Sequence, residues 1–123
     1  MEIKKITPVI EKHYKLILWM LPKMKDFPKD QKFLLADRIE RILLDILEML
    51  IEANYSKQKR EILIKVNLKL DVLRFLMRIS KDMKYVSING YDFFCQSAIE
   101  IGKMVGGWLK FQNPAAYGPR ERT

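Results

Sequence analysis

The chain has 123 residues, nearly half of them apolar and about a third charged, with five glycines and five prolines. That is enough for one domain with a proper core, and it is not the composition of a disordered chain. Lysine and arginine exceed aspartate and glutamate by 8 and the pI is about 9.6, which favours polyanions (nucleic acid, an anionic membrane or an acidic protein face) without choosing among them. One cysteine, Cys95, excludes an internal disulfide and fits a reducing compartment. The charged start of the chain lacks a signal-peptide core, and the longest apolar run, Leu16 to Leu21, falls far short of a bilayer span. A cytoplasmic protein with no membrane partner is expected.

Residues 1–6 form a short basic lead-in. Thr7 and Pro8 mark the first helix, a capping hydroxyl followed by proline at the first helical position. Ile10, Tyr14, Ile17, Leu21 and Met24 recur at helical spacing as its expected buried stripe, with Pro22 in its last turn. His13 is expected at the boundary of this helix. After a connector at 26–30, a second helix runs from Pro28 or Gln31 to Asn54. Ala36, Ile39, Leu43, Ile46, Leu50 and Ala53 make its apolar stripe, and Asp37 with Arg41 is a favourable i, i+4 pair. The far half of its outer face is acidic, with Glu48 and Glu52, and reads as solvated.

Asn54-Tyr55-Ser56 leaves room only for a tight reversal, with Ser56 as the next N-cap, so helices two and three are expected to be antiparallel neighbours. Helix three, ending near Lys84, is apolar on two adjoining stripes. Val66, Leu70, Leu73 and Met77 form one; Leu68, Val72, Phe75, Ile79 and Met83 form the other. An arc this wide exceeds the roughly 100° of an ordinary surface helix. Lys65 and Lys69 lie within it and must snorkel. The economical resolution is self-association, with the excess apolar surface facing another copy.

Helix four begins at Ser87 or Asp92 and carries Tyr91, Phe94, Ala98, Ile101, Val105 and Trp108 on one face. Ala98, Gly102 and Gly106 form a small-residue row that marks close helix approach, within the bundle or between copies. Residues 113–123, with two prolines and two arginines, read as a basic disordered tail. Four helices with short loops, spanning 7–112, predict an all-α, antiparallel up-down-up-down four-helix bundle.

Signatures of catalysis are absent from the sequence. A single histidine excludes a histidine metal cluster, no phosphate-loop glycine pattern occurs, and Cys95 sits among aromatic residues as a packed thiol. No catalytic residue, metal, cofactor or small-molecule substrate is expected. The basic residues lead further. Arg74 and Arg78 share a face with Arg60 and Lys81, and Lys57 adds charge at the turn. Tyr55 and Tyr85 stand near the ends of this strip, placed to stack on bases. Asp71 and Asp82 are within reach of Arg74 and Arg78 and temper the charge. Multiplied by several copies, the strip becomes a strongly positive surface.

Leu-Pro-Lys-Met at 21–24, Phe-Pro-Lys-Asp-Gln-Lys-Phe at 27–33, Leu-Arg-Phe-Leu-Met-Arg at 73–78 and Glu-Ile-Gly-Lys-Met-Val-Gly-Gly-Trp-Leu at 100–109 resemble the accessory variability determinant (Avd) proteins of diversity-generating retroelements. The likeness covers about residues 14–111 and consists of helix-face positions. It implies a homopentameric barrel of four-helix bundles. It also implies binding to the retroelement reverse transcriptase and to template RNA or cDNA, in support of mutagenic cDNA synthesis. Arg74 and Arg78 match the family's helix-three arginines, and Lys103 falls where the family carries a basic residue on helix four. Gly102, Gly106, Phe75 and Trp108 are the expected packing positions. A sister family, the four-helix proteins encoded in intervening sequences of ribosomal RNA genes, implies a structural or protein-interaction role instead. Its members show an Asn-Ile-Ala-Glu-Gly-like stretch where this chain has Met-Leu-Ile-Glu-Ala-Asn at 49–54, a departure that favours Avd.

Overall fold

The structure, a computed structural model, describes residues 8–112. The lead-in, the Thr7 cap and the tail lie outside the described residues. Four long helices carry the fold: α1 (Pro8–Lys23), α2 (Asp37–Tyr55), α3 (Lys59–Asp82) and α4 (Ile88–Gln112). Each packs on its sequence neighbours, and α1 also packs on α4. The ring closes with α1 diagonally across from α3. Short connections make the neighbours antiparallel, so the expected four-helix bundle is present.

The stripes read from periodicity on α2, α3 and α4 supply most of the core. Ile39, Leu43, Ile46, Leu50 and Ala53 of α2 face Val66, Leu70, Leu73 and Met77 of α3 and Phe94, Ala98, Ile101 and Val105 of α4, all buried. Leu63 of α3 and Leu109 of α4, outside the expected stripes, are buried with them, while Tyr91 and Trp108, expected on the α4 stripe, are only half-buried. On α1 the expected stripe is half wrong. Tyr14 and Leu21 are exposed, while His13 and Met20 fill their places beside Ile10, Ile17 and Met24. Both sets satisfy the 3–4 spacing, and a polar reading of His13 tips the choice the wrong way.

His13 is fully buried rather than at a boundary. Its Nε2 lies 2.8 Å from the carbonyl oxygen of Leu43. A carbonyl only accepts, so Nε2 carries the proton and donates it. Nδ1 is buried without a partner among the described residues. Burial lowers the pKa of His13, and the bond to Leu43 offsets that only in part. The histidine is a neutral core residue that stitches α1 to α2.

Three connections differ in detail from expectation. The second helix begins with one α turn, Lys29–Gln31, and passes through a π-helical stretch, Lys32–Ala36, before α2 proper. The wider π turn leaves Phe33 and Leu34 outside while Leu35 and Ala36 stay buried. Ser56 does not cap α3. Its Oγ accepts from the Gln58 N–H at 2.8 Å, shaping the turn, and Gln58 is the N-cap residue, without a side-chain cap. The last carbonyls of α2 are held instead by Lys59, whose Nζ donates to Ala53 at 2.9 Å, Ser56 at 2.7 Å and Asn54 at 3.4 Å. Helix α3 stops at Asp82, two residues short of Lys84, which takes a left-handed φ of 68°. For α4 the cap is Ser87, not Asp92: its Oγ accepts from the Gly90 N–H at 3.0 Å.

Candidate nucleic-acid interface

Between α3 and α4 runs an open groove of about 610 Å³. Arg74 enters it from α3. Its Nη1 donates to Asp71 Oδ1 at 3.1 Å and its Nη2 to the Ala98 carbonyl of α4 at 3.1 Å. The Ala98 bond ties the two helices and fixes the guanidinium plane. Two of its five N–H donors are thus engaged, and the group stays partly exposed. Gly102 makes this placement feasible, because a Cβ there would stand 3.1 Å from Arg74 Nη2.

Farther along α4 the floor is bare. A Cβ on Gly106 or Gly107 would meet nothing within 4 Å. Of the two expected packings for Gly106, the one within the bundle has no neighbour here, and the missing side chain opens the groove. Lys103 and Lys110 stand on the α4 side and Asn67 on the α3 side, so three cations share the groove with one carboxylate, Asp71. Lys110 was not singled out from the sequence. The available signal was its position seven residues, two turns, beyond Lys103.

Other expected contact residues lie apart. Arg60 and Lys81 are 21 positions apart on α3, about 31 Å at 1.5 Å per residue. Arg60 is half-buried, with Nε lacking a partner among the described residues, and Lys57 is exposed in the turn. Lys81 pairs with Asp82 at 3.1 Å and lies 4.9 Å from the Tyr91 ring centroid. Asp82 therefore turns to Lys81, not to Arg78. Arg78 is exposed one turn from Arg74, with no ion pair among the described residues. Tyr55 is exposed, but Tyr85 packs on Phe27 with ring centroids 5.6 Å apart, which removes it as a stacking platform. Trp108 is half-buried near Val9 of α1, while Phe75 points outward, 63% exposed.

A model of the bAvd-like family matches residues 8–112, the whole described bundle. The chain belongs to the bAvd-like family. No curated protein and no solved structure matches it. The family is of an accessory, non-catalytic type, associated with diversity-generating retroelements. Among the described residues of this bAvd-like chain, no group of three or more His, Cys, Asp or Glu side chains is placed to hold a metal ion. No described helix is long and apolar enough to cross a membrane. What the groove offers is a held guanidinium and two exposed ammonium groups along a strip where backbone is accessible. That chemistry suits a string of phosphates, bidentate at the arginine and point-like at the lysines.

Proposed function

We propose that this bAvd-like chain is the non-catalytic accessory protein of a diversity-generating retroelement. It assembles as a homopentamer and binds template RNA or cDNA through the α3/α4 groove, while another face holds the reverse transcriptase. The observation that carries the reading is the convergence of Arg74, Lys103 and Lys110 on a glycine-floored groove. A helix interior discourages glycine, by about 1 kcal/mol relative to alanine. Keeping two glycines where a side chain would fit makes sense if an extended polyanion must lie close to α4. Arg78 extends the same side of α3 toward its C-terminal end. The competing reading, a protein-interaction bundle of the ribosomal intervening-sequence type, draws on the exposed apolar face of α3.

RNA affinity against salt separates the two. The lysines, not Arg74, make the clean test, because Arg74 also ties α3 to α4. For a single strand, log K falls by about 0.7 per phosphate contact for each tenfold rise in salt. Native protein is expected to show a slope of several such contacts, and Lys103→Ala/Lys110→Ala to flatten it by about 1.4. If the native protein ignores RNA at low salt, or if the double variant keeps the native slope, the groove is not the interface.

A further inference from the structure

One side chain of the α3/α4 groove is out of keeping with the rest. Arg74, Lys103 and Lys110 carry donors, and phosphate oxygens accept from them. Asp71 lines the same groove, is exposed, and as a carboxylate only accepts. Its Oδ1 accepts from Arg74 Nη1 at 3.1 Å, while Oδ2 has no hydrogen-bond partner among the described residues. Holding Arg74 therefore uses one carboxylate oxygen of two, and the Ala98 carbonyl already fixes the guanidinium from α4. Asn67, one turn before Asp71 on α3, lines the groove beside it and offers a second oxygen acceptor.

These acceptors and the lysines stand on opposite walls. Arg74 meets α4 at Ala98 and the two helices are antiparallel, so residues before Arg74 on α3 stand across from residues after Ala98 on α4. At 1.5 Å per residue, Asp71 and Asn67 lie about 4.5 Å and about 10.5 Å along the groove from Arg74, and Lys103 and Lys110 about 7.5 Å and about 18 Å from Ala98. The bare floor at Gly106 and Gly107 lets a strand lie between the walls. With its phosphates against the α4 lysines, such a strand turns its sugars toward Asp71 and Asn67. A backbone of phosphates and deoxyriboses has no hydrogen-bond donor, so a carboxylate beside it meets only repulsion. A ribose adds one donor, the 2′-hydroxyl, the group by which a protein tells RNA from DNA.

We propose that Asp71 makes the groove select RNA over DNA, its Oδ2 accepting a hydrogen bond from a ribose 2′-hydroxyl while Oδ1 holds Arg74. This rests on the groove as the nucleic-acid interface and names which nucleic acid it takes. Selection works by contrast. The cations attract either strand, because both carry the same phosphates. The carboxylate repels either strand, and only the 2′-hydroxyl offsets that repulsion. A base amino group is also a donor to a carboxylate, so the deciding probe carries uracil, whose two exocyclic groups are carbonyl oxygens.

The test is fluorescence anisotropy of the full chain with labelled oligo(rU) and oligo(dU) of equal length at one low salt concentration. The two strands differ only at the 2′ position. Native protein is expected to bind oligo(rU) about tenfold more tightly, the worth of one hydrogen bond to a charged group. Asp71→Asn, at an exposed position, is expected to cut that ratio to about threefold or less, because a neutral acceptor bonds about half as strongly, and to tighten oligo(dU). Asp71→Ala is expected to bring the ratio near unity. Lys103→Ala/Lys110→Ala is expected to weaken both strands and leave the ratio alone. If the Asp71 variants weaken both strands and keep the ratio, Asp71 only orients Arg74 and the proposal falls. A 2′-fluoro strand, which keeps a ribose-like pucker but donates nothing, is expected to bind like oligo(dU). Binding like oligo(rU) means that sugar shape is read instead, and the proposal falls. Equal native affinity for oligo(rU) and oligo(dU) overturns it while the groove stands. If neither strand binds, the groove reading falls and this one with it.

Discussion

Replacing Gly106 with alanine is expected to make the protein more stable and no better at its task. Glycine in a helix interior is about 1 kcal/mol less favourable than alanine, because it loses more backbone freedom on folding. At Gly106 nothing opposes that gain: an added Cβ meets no atom within 4 Å, and no glycine of the described chain has a positive φ. The position lies six residues before the end of α4, clear of the last turn. For a domain of this size 1 kcal/mol moves Tm by roughly 4 °C, and adding Gly107→Ala is expected to double the shift to about 8 °C. Gly102→Ala is the internal control. Its Cβ would stand 3.1 Å from a guanidinium already tied to Asp71 and Ala98, so the gain is expected to shrink or reverse. Thermal unfolding by circular dichroism at fixed protein concentration reads all three. The same series, extended to Gly106→Leu, is then measured for RNA affinity; the leucine fills the groove and is expected to weaken binding about tenfold. Two results refute the reasoning. Lower stability for Gly106→Ala means a Cβ does meet something there. Native RNA affinity for Gly106→Leu means the open groove is not where RNA lies.

Other consequences are local. Lys59→Ala removes the side chain that, among the described residues, holds the carbonyls at the end of α2, and a loss of about 1–2 kcal/mol in urea unfolding is expected, with Lys59→Arg recovering part of it. Ser87→Ala deletes the α4 cap and is expected to lower stability by about 1 kcal/mol on the same assay. His13 has a folded pKa below its ordinary 6.5, so the unfolded chain takes up the proton first as pH falls. Its contribution is complete above about pH 6.5 and declines below, down to the folded pKa. Urea midpoints at pH 7.5 and pH 5 are expected to differ in favour of the higher pH, and His13→Gln is expected to reduce that difference. An equal midpoint shift in the variant would mean that His13 does not set the pH dependence.

Legibility in the sequence followed physical redundancy. Most of the α2, α3 and α4 core was readable because its buried positions repeat as apolar residues on a face; Leu43, Leu70 and Ile101 each had neighbours to confirm them, whereas Leu63 and Leu109 lie one turn beyond or beside the stripes as read. On α1 two phases shared Ile10, Ile17 and Met24, and only tertiary contact with Leu43 decides that His13, not Tyr14, goes in. The α2–α3 turn was misread because a serine in a turn bonds equally well to a loop N–H, as Ser56 does, and because a lysine can cap carbonyls from the next helix. At the site, Arg74 and Lys103 were found as charges, but their meeting depends on α3 and α4 running side by side. Gly106 carried an ambiguous signal: a helix glycine announces room, and the sequence does not say whether the room is filled by a neighbouring backbone of the bundle, by another copy, or left empty.

The residues of α3 are segregated by face. Leu70, Leu73 and Met77 turn inward; Leu68, Phe75 and Ile79 turn outward; Asn67, Asp71 and Arg74 turn toward α4. A substitution on the exposed apolar face therefore leaves the α3/α4 groove intact, and one in the groove leaves that face intact. Under the proposed ring assembly and RNA binding the two faces would be coupled in effect. Three cations in one groove would give a modest salt slope by themselves, whereas grooves repeated around a ring would present successive sites to the same strand, the second engagement proceeding at the effective concentration set by the first. Variants on the exposed apolar face that become monomeric are then expected to lose RNA affinity and steepness although none of them lies in the groove. Adding the groove variants to a monomeric background is then expected to cost only the single-site contacts. Equal RNA affinity for monomeric and assembled protein would mean that each bundle binds alone.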